Sequence, residues 1–147
     1  MAAATRRAEA TWEGPLTNGS GRFEVGSGAL AEQEVTWASR TERSEGKTSP
    51  EELLAAAEAT CFSMALSNIL GEGGTPPDRL KVNAACTIEQ VGDGLKVTTM
   101  ELEVRGRVDG IDGPGFEQAA SQAAEGCPVS GALKGNVEIS VNATLEE

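Results

Sequence analysis

Three cysteines, Cys61, Cys86 and Cys127, are the residues of this chain best suited to chemistry, because the sequence contains no histidine. Without an imidazole there is no Ser-His or Cys-His nucleophilic pair, no His proton shuttle and no His-based catalytic zinc site. Any reaction must therefore run on Cys, Asp or Glu, Arg or Lys, and Ser or Thr. No pair of cysteines is spaced as C-x-x-C, so a zinc ribbon is not expected.

The three sulfurs have different surroundings. Cys86 falls on the apolar face of an alternating segment, where a cysteine behaves as a small hydrophobe and packs. Cys61 lies on the apolar side of a helical segment, where buried cysteines are ordinarily inert. A reactive Cys61 would need a cation to hold its thiolate, since burial alone raises a thiol pKa. Arg22, Arg40 and Arg43 are the basic residues considered for that role, and a guanidinium fork can hold a thiolate and a carboxylate together. Cys127 stands just before Pro128, at a position to cap a short helix whose N-terminus would favour a thiolate. The alternative is a cysteine chosen for its size in a tight turn. Glu51 likewise has two readings, a helix-start carboxylate or a group that orients an arginine. Ten helical residues span about 15 Å, so Glu51 cannot touch Cys61 of its own helix.

The elements that must position these residues follow from periodicity and capping signals. Ala8, Ala10 and Trp12 alternate with polar residues, Asn18-Gly19 signals a hairpin turn, and 22–25 reads as the returning strand. Val35 and Trp37 suggest a further short strand ending at Arg40. Ser49-Pro50-Glu51-Glu52 is a helix start, with an N-cap, a first-turn proline and a capping-box glutamate. Apolar residues then recur from Leu54 to Leu70, and the glycines at 71, 73 and 74 stop the helix. At about twenty residues, apolar on most of its surface, this helix reads as the buried spine of the fold. Alternation from Leu80 to Ile88 predicts a strand, and Gly92-Asp93-Gly94 turns it into a second, with a bulge near Thr98-Thr99. Residues 114–125 read as a second helix, Cys127-Pro128 restarts a helical turn, and 137–145 form a last strand. The whole is an α+β layout in one domain, 1–147.

Composition narrows the classes. With 147 residues, 39% hydrophobic residues but only 3% aromatic, one chain has a thin core and an oligomer is expected. A net charge of −11 argues against nucleic acid and anionic membrane as partners. No apolar run is read as membrane-spanning, and residues 1–10 hold no apolar core of a signal peptide. A reducing cytoplasm is the default, where a disulfide is more often catalytic than structural.

Thr48-Ser49-Pro50-Glu51-Glu52-Leu53-Leu54-Ala55-Ala56-Ala57, with Ala59-Thr60-Cys61-Phe62-Ser63-Met64-Ala65-Leu66-Ser67, resembles the signature of the OsmC/Ohr family (osmotically inducible protein C and organic hydroperoxide resistance protein). Gly126-Cys127-Pro128-Val129-Ser130 is similar to the family's second signature. Trp12-Glu13-Gly14, Ser27-Gly28-Ala29-Leu30 and Gly110-Ile111-Asp112 also look like the OsmC branch. The resemblance implies a thiol peroxidase for organic hydroperoxides and hydrogen peroxide in oxidative and osmotic stress defence, needing no metal, haem or flavin. It implies an intertwined homodimer with antiparallel sheets wrapped around long central helices and active sites at the subunit interface. By the same resemblance Cys61 is the peroxidatic sulfur and Cys127 the resolving one. Glu51 matches the family glutamate, and a lipoylated protein or small dithiol is the reductant. Arg40 corresponds to the OsmC arginine and Arg22 to that of the Ohr branch, with Arg40 favoured. The family helix often carries His where this chain has Glu58. A pocket lined by Phe62 and Met64 would favour alkyl peroxides. The alternatives are a non-enzymatic cysteine redox switch and a divergent family member with another substrate.

Overall fold

The computed structural model describes all residues, Met1–Glu147, and the chain divides into two compact units, Met1–Leu53 and Leu54–Glu147. The first holds an antiparallel sheet of β1 (Ala8–Glu13), β2 (Ser20–Val25) and β3 (Gln33–Val35), in that order. The hairpin expected at Asn18-Gly19 is present, but its loop is the longer segment 14–19, pinned by Gly19 N–H donating to Pro15 O at 2.6 Å.

Trp37 and Arg40 do not continue a strand. They belong to a short helix, α1 (Trp37–Thr41). Thr36 caps it, accepting from Ser39 N–H at 3.0 Å, while Ser39 Oγ accepts from Thr36 N–H at 2.9 Å. This reciprocal capping box outweighs the brief apolar alternation of Val35 and Trp37.

Helix α2 (Pro50–Glu72) starts where expected. Ser49 Oγ accepts from Glu52 N–H at 3.1 Å, whereas the Glu52 carboxylate turns to Thr48 Oγ1 at 2.8 Å instead of closing the box. The helix runs through Gly71 and ends in a Schellman motif: Thr75 N–H donates to Leu70 O at 2.9 Å and Gly74 N–H to Gly71 O at 3.0 Å. Gly74 takes φ +85°, which only glycine adopts without strain.

The expectation of a wholly buried spine needs correction. The buried side chains of α2 in the second unit are Glu58, Phe62, Leu66 and Leu70, one stripe at intervals of four. Only 22% of its most apolar stretch is buried, and Met64 is 68% exposed. By length and hydropathy alone α2 would also qualify as a membrane span, against the sequence reading. Its single packed stripe, with a glutamate held inside, instead fits the core of this unit.

The second sheet consists of β4 (Arg79–Val91), β5 (Gly94–Arg107) and β6 (Glu138–Leu145). β4 and β5 form a long antiparallel hairpin in which Thr98 is skipped between the pairs Thr87↔Thr99 and Ile88↔Val97, the expected bulge. β6 pairs with β5 in parallel, so this sheet is mixed and not antiparallel as expected. The connection through α3 (Gly113–Gly126) and α4 (Pro128–Leu133) carries the chain back to the start side of β5, the crossover that parallel pairing requires. The central strand β5 supplies Leu102 and Val104 to the core, against Phe62, Leu66 and Leu70 of α2 and Phe116, Ala119, Ala120 and Ala123 of α3. The small side chains of α3 let it lie close against its neighbours.

Candidate functional site

In the first unit the structure brings Arg40 and Glu51 together. Arg40 is in the last turn of α1 and Glu51 in the first turn of α2. Arg40 Nε donates to Glu51 Oε1 at 3.0 Å and Nη2 to Oε2 at 2.9 Å, a two-pronged pair. Glu51 is 6% exposed, so the guanidinium supplies the countercharge for an almost buried carboxylate. The loop between them is tied down by Ser39 Oγ donating to Thr48 O at 2.9 Å. Arg22 lies elsewhere. On the exposed side of β2 it meets Glu13 at 3.2 Å and Glu32 at 3.6 Å. An apolar cleft of about 440 Å³ lies in the same unit, lined by Trp12, Phe23, Val35, Pro50 and Leu53 among others.

In the second unit the structure brings Cys61 and Cys127 together. Asp112 caps α3, accepting from Gly115 N–H at 2.8 Å, and the buried stripe of that helix leads directly to Cys127. Pro128 keeps Cys127 out of the helical region, at φ −68° and ψ 122°, and then opens α4. Cys127 is therefore 1% exposed at the break between two helices. Cys61 is half-buried on α2, with its thiol beside that of Cys127. Cys86 sits apart on β4, half-buried and facing Met100 across the hairpin.

The Cys61 thiol is pushed above the ordinary thiol range. Burial is the first cause, and the neighbouring Cys127 thiol acts in the same direction. The backbone N–H of Val129 pulls the other way, while the charges of Cys127 and Glu58 add to the rise. None of these groups is a cation.

Three details depart from the sequence reading. Cys127 occupies the N-cap of α4, but its sulfur makes no capping bond; it donates to Glu58 Oε1 at 3.8 Å. Phe62 is fully buried in the core while Met64, two residues on and on the opposite side of the helix, is exposed, so they do not line one pocket. Glu58, fully buried, is a residue of the site that the sequence motifs do not single out. Ser130 Oγ donates to the same Glu58 Oε1 that accepts from Cys127. Its register four residues before Phe62 was the available signal. No cluster of three or more Cys, Asp and Glu side chains is arranged to hold a metal ion.

Known proteins point one way. Residues 43–142 match the family described as OsmC-like protein. Peroxiredoxin OsmC of Escherichia coli strain K12 is 38% identical over 134 residues, 91% of this chain and 93% of the relative. An organic hydroperoxide resistance protein of Xanthomonas axonopodis pv. citri is 27% identical over 95 residues, covering 64% of this chain and 65% of its own length. Among solved structures, the organic hydroperoxide resistance protein OhrB of Bacillus subtilis superposes with a TM-score of 0.75 at 24% identity, covering 94% of this chain and 98% of its own, and shares the fold.

Proposed function

The chain belongs to the OsmC family and is a thiol peroxidase, and within that activity we propose that Cys61 is the sulfur that attacks the hydroperoxide and Cys127 the one that resolves it. The observation that carries this assignment is that the two thiols, from separate elements far apart in sequence, come near enough to act on each other's ionisation, with Cys127 held to Glu58 one helical turn before Cys61.

The Cys61 thiolate attacks the distal oxygen of the peroxide. The O–O bond breaks, the sulfur is oxidised to sulfenic acid, and an alcohol or water leaves with a proton. Cys127 then attacks the sulfenic sulfur, expelling water and closing the Cys61–Cys127 disulfide. A dithiol, such as a lipoylated protein, restores both thiols by exchange. The groups around Cys61 in one chain hold its proton on, so the first step needs a cation. Arg40 is the better candidate, because Glu51 fixes it on two prongs while Arg22 is engaged with two exposed carboxylates. A homodimer, in which a second chain contributes to each site, fits the large apolar surface that α2 leaves uncovered. The reducing cytoplasm is the compartment in which such a cycle runs.

The test is turnover of t-butyl hydroperoxide with a dithiol. Cys61→Ser should abolish it, and wild-type turnover in that variant would refute the assignment. After one equivalent of peroxide, mass analysis should find Cys61 of Cys127→Ser stalled as sulfenic or over-oxidised sulfur.

A further inference from the structure

Glu58 is the most costly residue in the core of the second unit. Its side chain is wholly enclosed, on a stripe otherwise built of Phe62, Leu66 and Leu70. Packing alone would favour an aliphatic residue there, since a carboxylate loses its hydration on burial. Two donors meet one of its oxygens: Cys127 Sγ at 3.8 Å and Ser130 Oγ. Cys127 and Ser130 are themselves 1% and 2% exposed. The other oxygen, Oε2, is buried with no partner and retains its full accepting capacity. One helical turn beyond Glu58 on the same helix face is Cys61. The carboxylate is thus held beside both sulfurs.

We infer that Glu58 is the proton acceptor for Cys127 in the resolving step. This rests on Cys127 being the resolving sulfur. With Cys61 as sulfenic acid, the Cys127 S–H bond breaks and its proton passes to Glu58. The freed sulfur electron pair forms the S–S bond to Cys61, and the Cys61 S–O bond breaks. The departing hydroxide takes the proton from Glu58 and leaves as water. One thiol and one sulfenic acid become one disulfide and one water, and the carboxylate is regenerated. The only oxidant is the peroxide already consumed in the first step. Ser130 is the positioning residue, holding Oε1 toward the sulfur. Two thiols face Glu58, Cys61 from its own helix and Cys127 from the α3–α4 junction.

The role has a signature that packing would not produce. The Glu58 charge disfavours the Cys61 thiolate, so removing it should help the first step and harm the second. Rapid mixing with one equivalent of t-butyl hydroperoxide, with quenching at intervals and mass analysis, separates the two. Wild type should pass through the Cys61 sulfenic acid to the Cys61–Cys127 disulfide; if no such disulfide forms, the assignment of the sulfur pair fails. Glu58→Gln should form sulfenic acid at least as fast as wild type and close the disulfide about 100-fold more slowly at neutral pH. Its closure rate should climb about tenfold per pH unit, as direct thiol ionisation replaces the base. Glu58→His restores a base, and its closure rate should fall as pH drops through about 6.5. If Glu58→Gln does not fold, this break in Glu58→His decides alone. Closure at the wild-type rate in Glu58→Gln, or no such break in Glu58→His, overturns the role of Glu58 while leaving the sulfur pair intact.

Discussion

At the scale of single residues, the two arginines can be told apart by what holds them. Arg40 is fixed on two prongs to a carboxylate that is almost buried, whereas Arg22 lies among exposed acids. Arg40→Ala and Arg40→Lys should each lower kcat/KM about tenfold or more, because a charged two-pronged hydrogen bond is lost in both. Arg22→Ala should stay within about twofold in the same assay. The reverse ranking would move the thiolate-holding role to Arg22. Cys61 has a consequence for stability in the single chain as well. There its folded pKa lies above the unfolded value, so the folded chain keeps a proton that the unfolded chain has lost. That contribution is complete below about pH 8.5 and is lost as pH rises through the folded value. Above about pH 8.5 the urea midpoint of single chains should fall more steeply than that of single chains carrying Cys61→Ser. Parallel curves would mean that the thiol of the single chain is not shifted.

At the scale of elements, local chemistry made most boundaries legible. Ser49-Pro50 opens α2, the Gly-Asp-Gly turn joins β4 to β5, and Thr98 bulges, all as read from short stretches. The misread elements show where local pattern stops. The three residues of β3 give too little alternation to separate strand from helix, and the Thr36–Ser39 box decides for α1. The parallel pairing of β6 depends on a crossover that strand periodicity does not encode. Glu58 is hard to see in the sequence because an acidic residue in a helix normally marks its wet side, a rule that outweighs its shared register with Phe62. The same packing yields a test of the sheet. Gly106 of β5 lies under the buried ring of Phe116, and a Cβ there would come within 2.6 Å of Phe116 Cε1. Gly106→Ala should therefore destabilise the chain by about 1–3 kcal/mol in denaturant unfolding. An unchanged midpoint would show that the ring can move aside.

At the scale of the whole molecule, a thin core was apparent from composition, and the structure locates the shortfall. Apolar residues of α2 remain uncovered, led by Met64, and Trp12 of the first sheet is 41% exposed. Such surface is the mark of an association site. In the proposed homodimer, sedimentation should give twice the chain mass of 15.2 kDa. Met64→Arg should shift the protein to single chains and cut peroxide turnover with it, because a charge placed in a buried apolar contact is costly. A fully active single-chain species would show that one chain suffices.

The parallel arrival of β6 also sets an order of events during synthesis. The β4–β5 hairpin is made of neighbouring chain and can form as soon as it emerges. The crossover carrying Cys127 gains its place only when the strand after it has been made and has docked beside β5. A nascent chain thus presents its first sulfur well before the second is seated. With the proposed roles of the two sulfurs, oxidant that reaches Cys61 before the last strand is home would meet a thiol with no partner to rescue it, and completion of the sheet would also be the moment at which the sulfur chemistry becomes reversible.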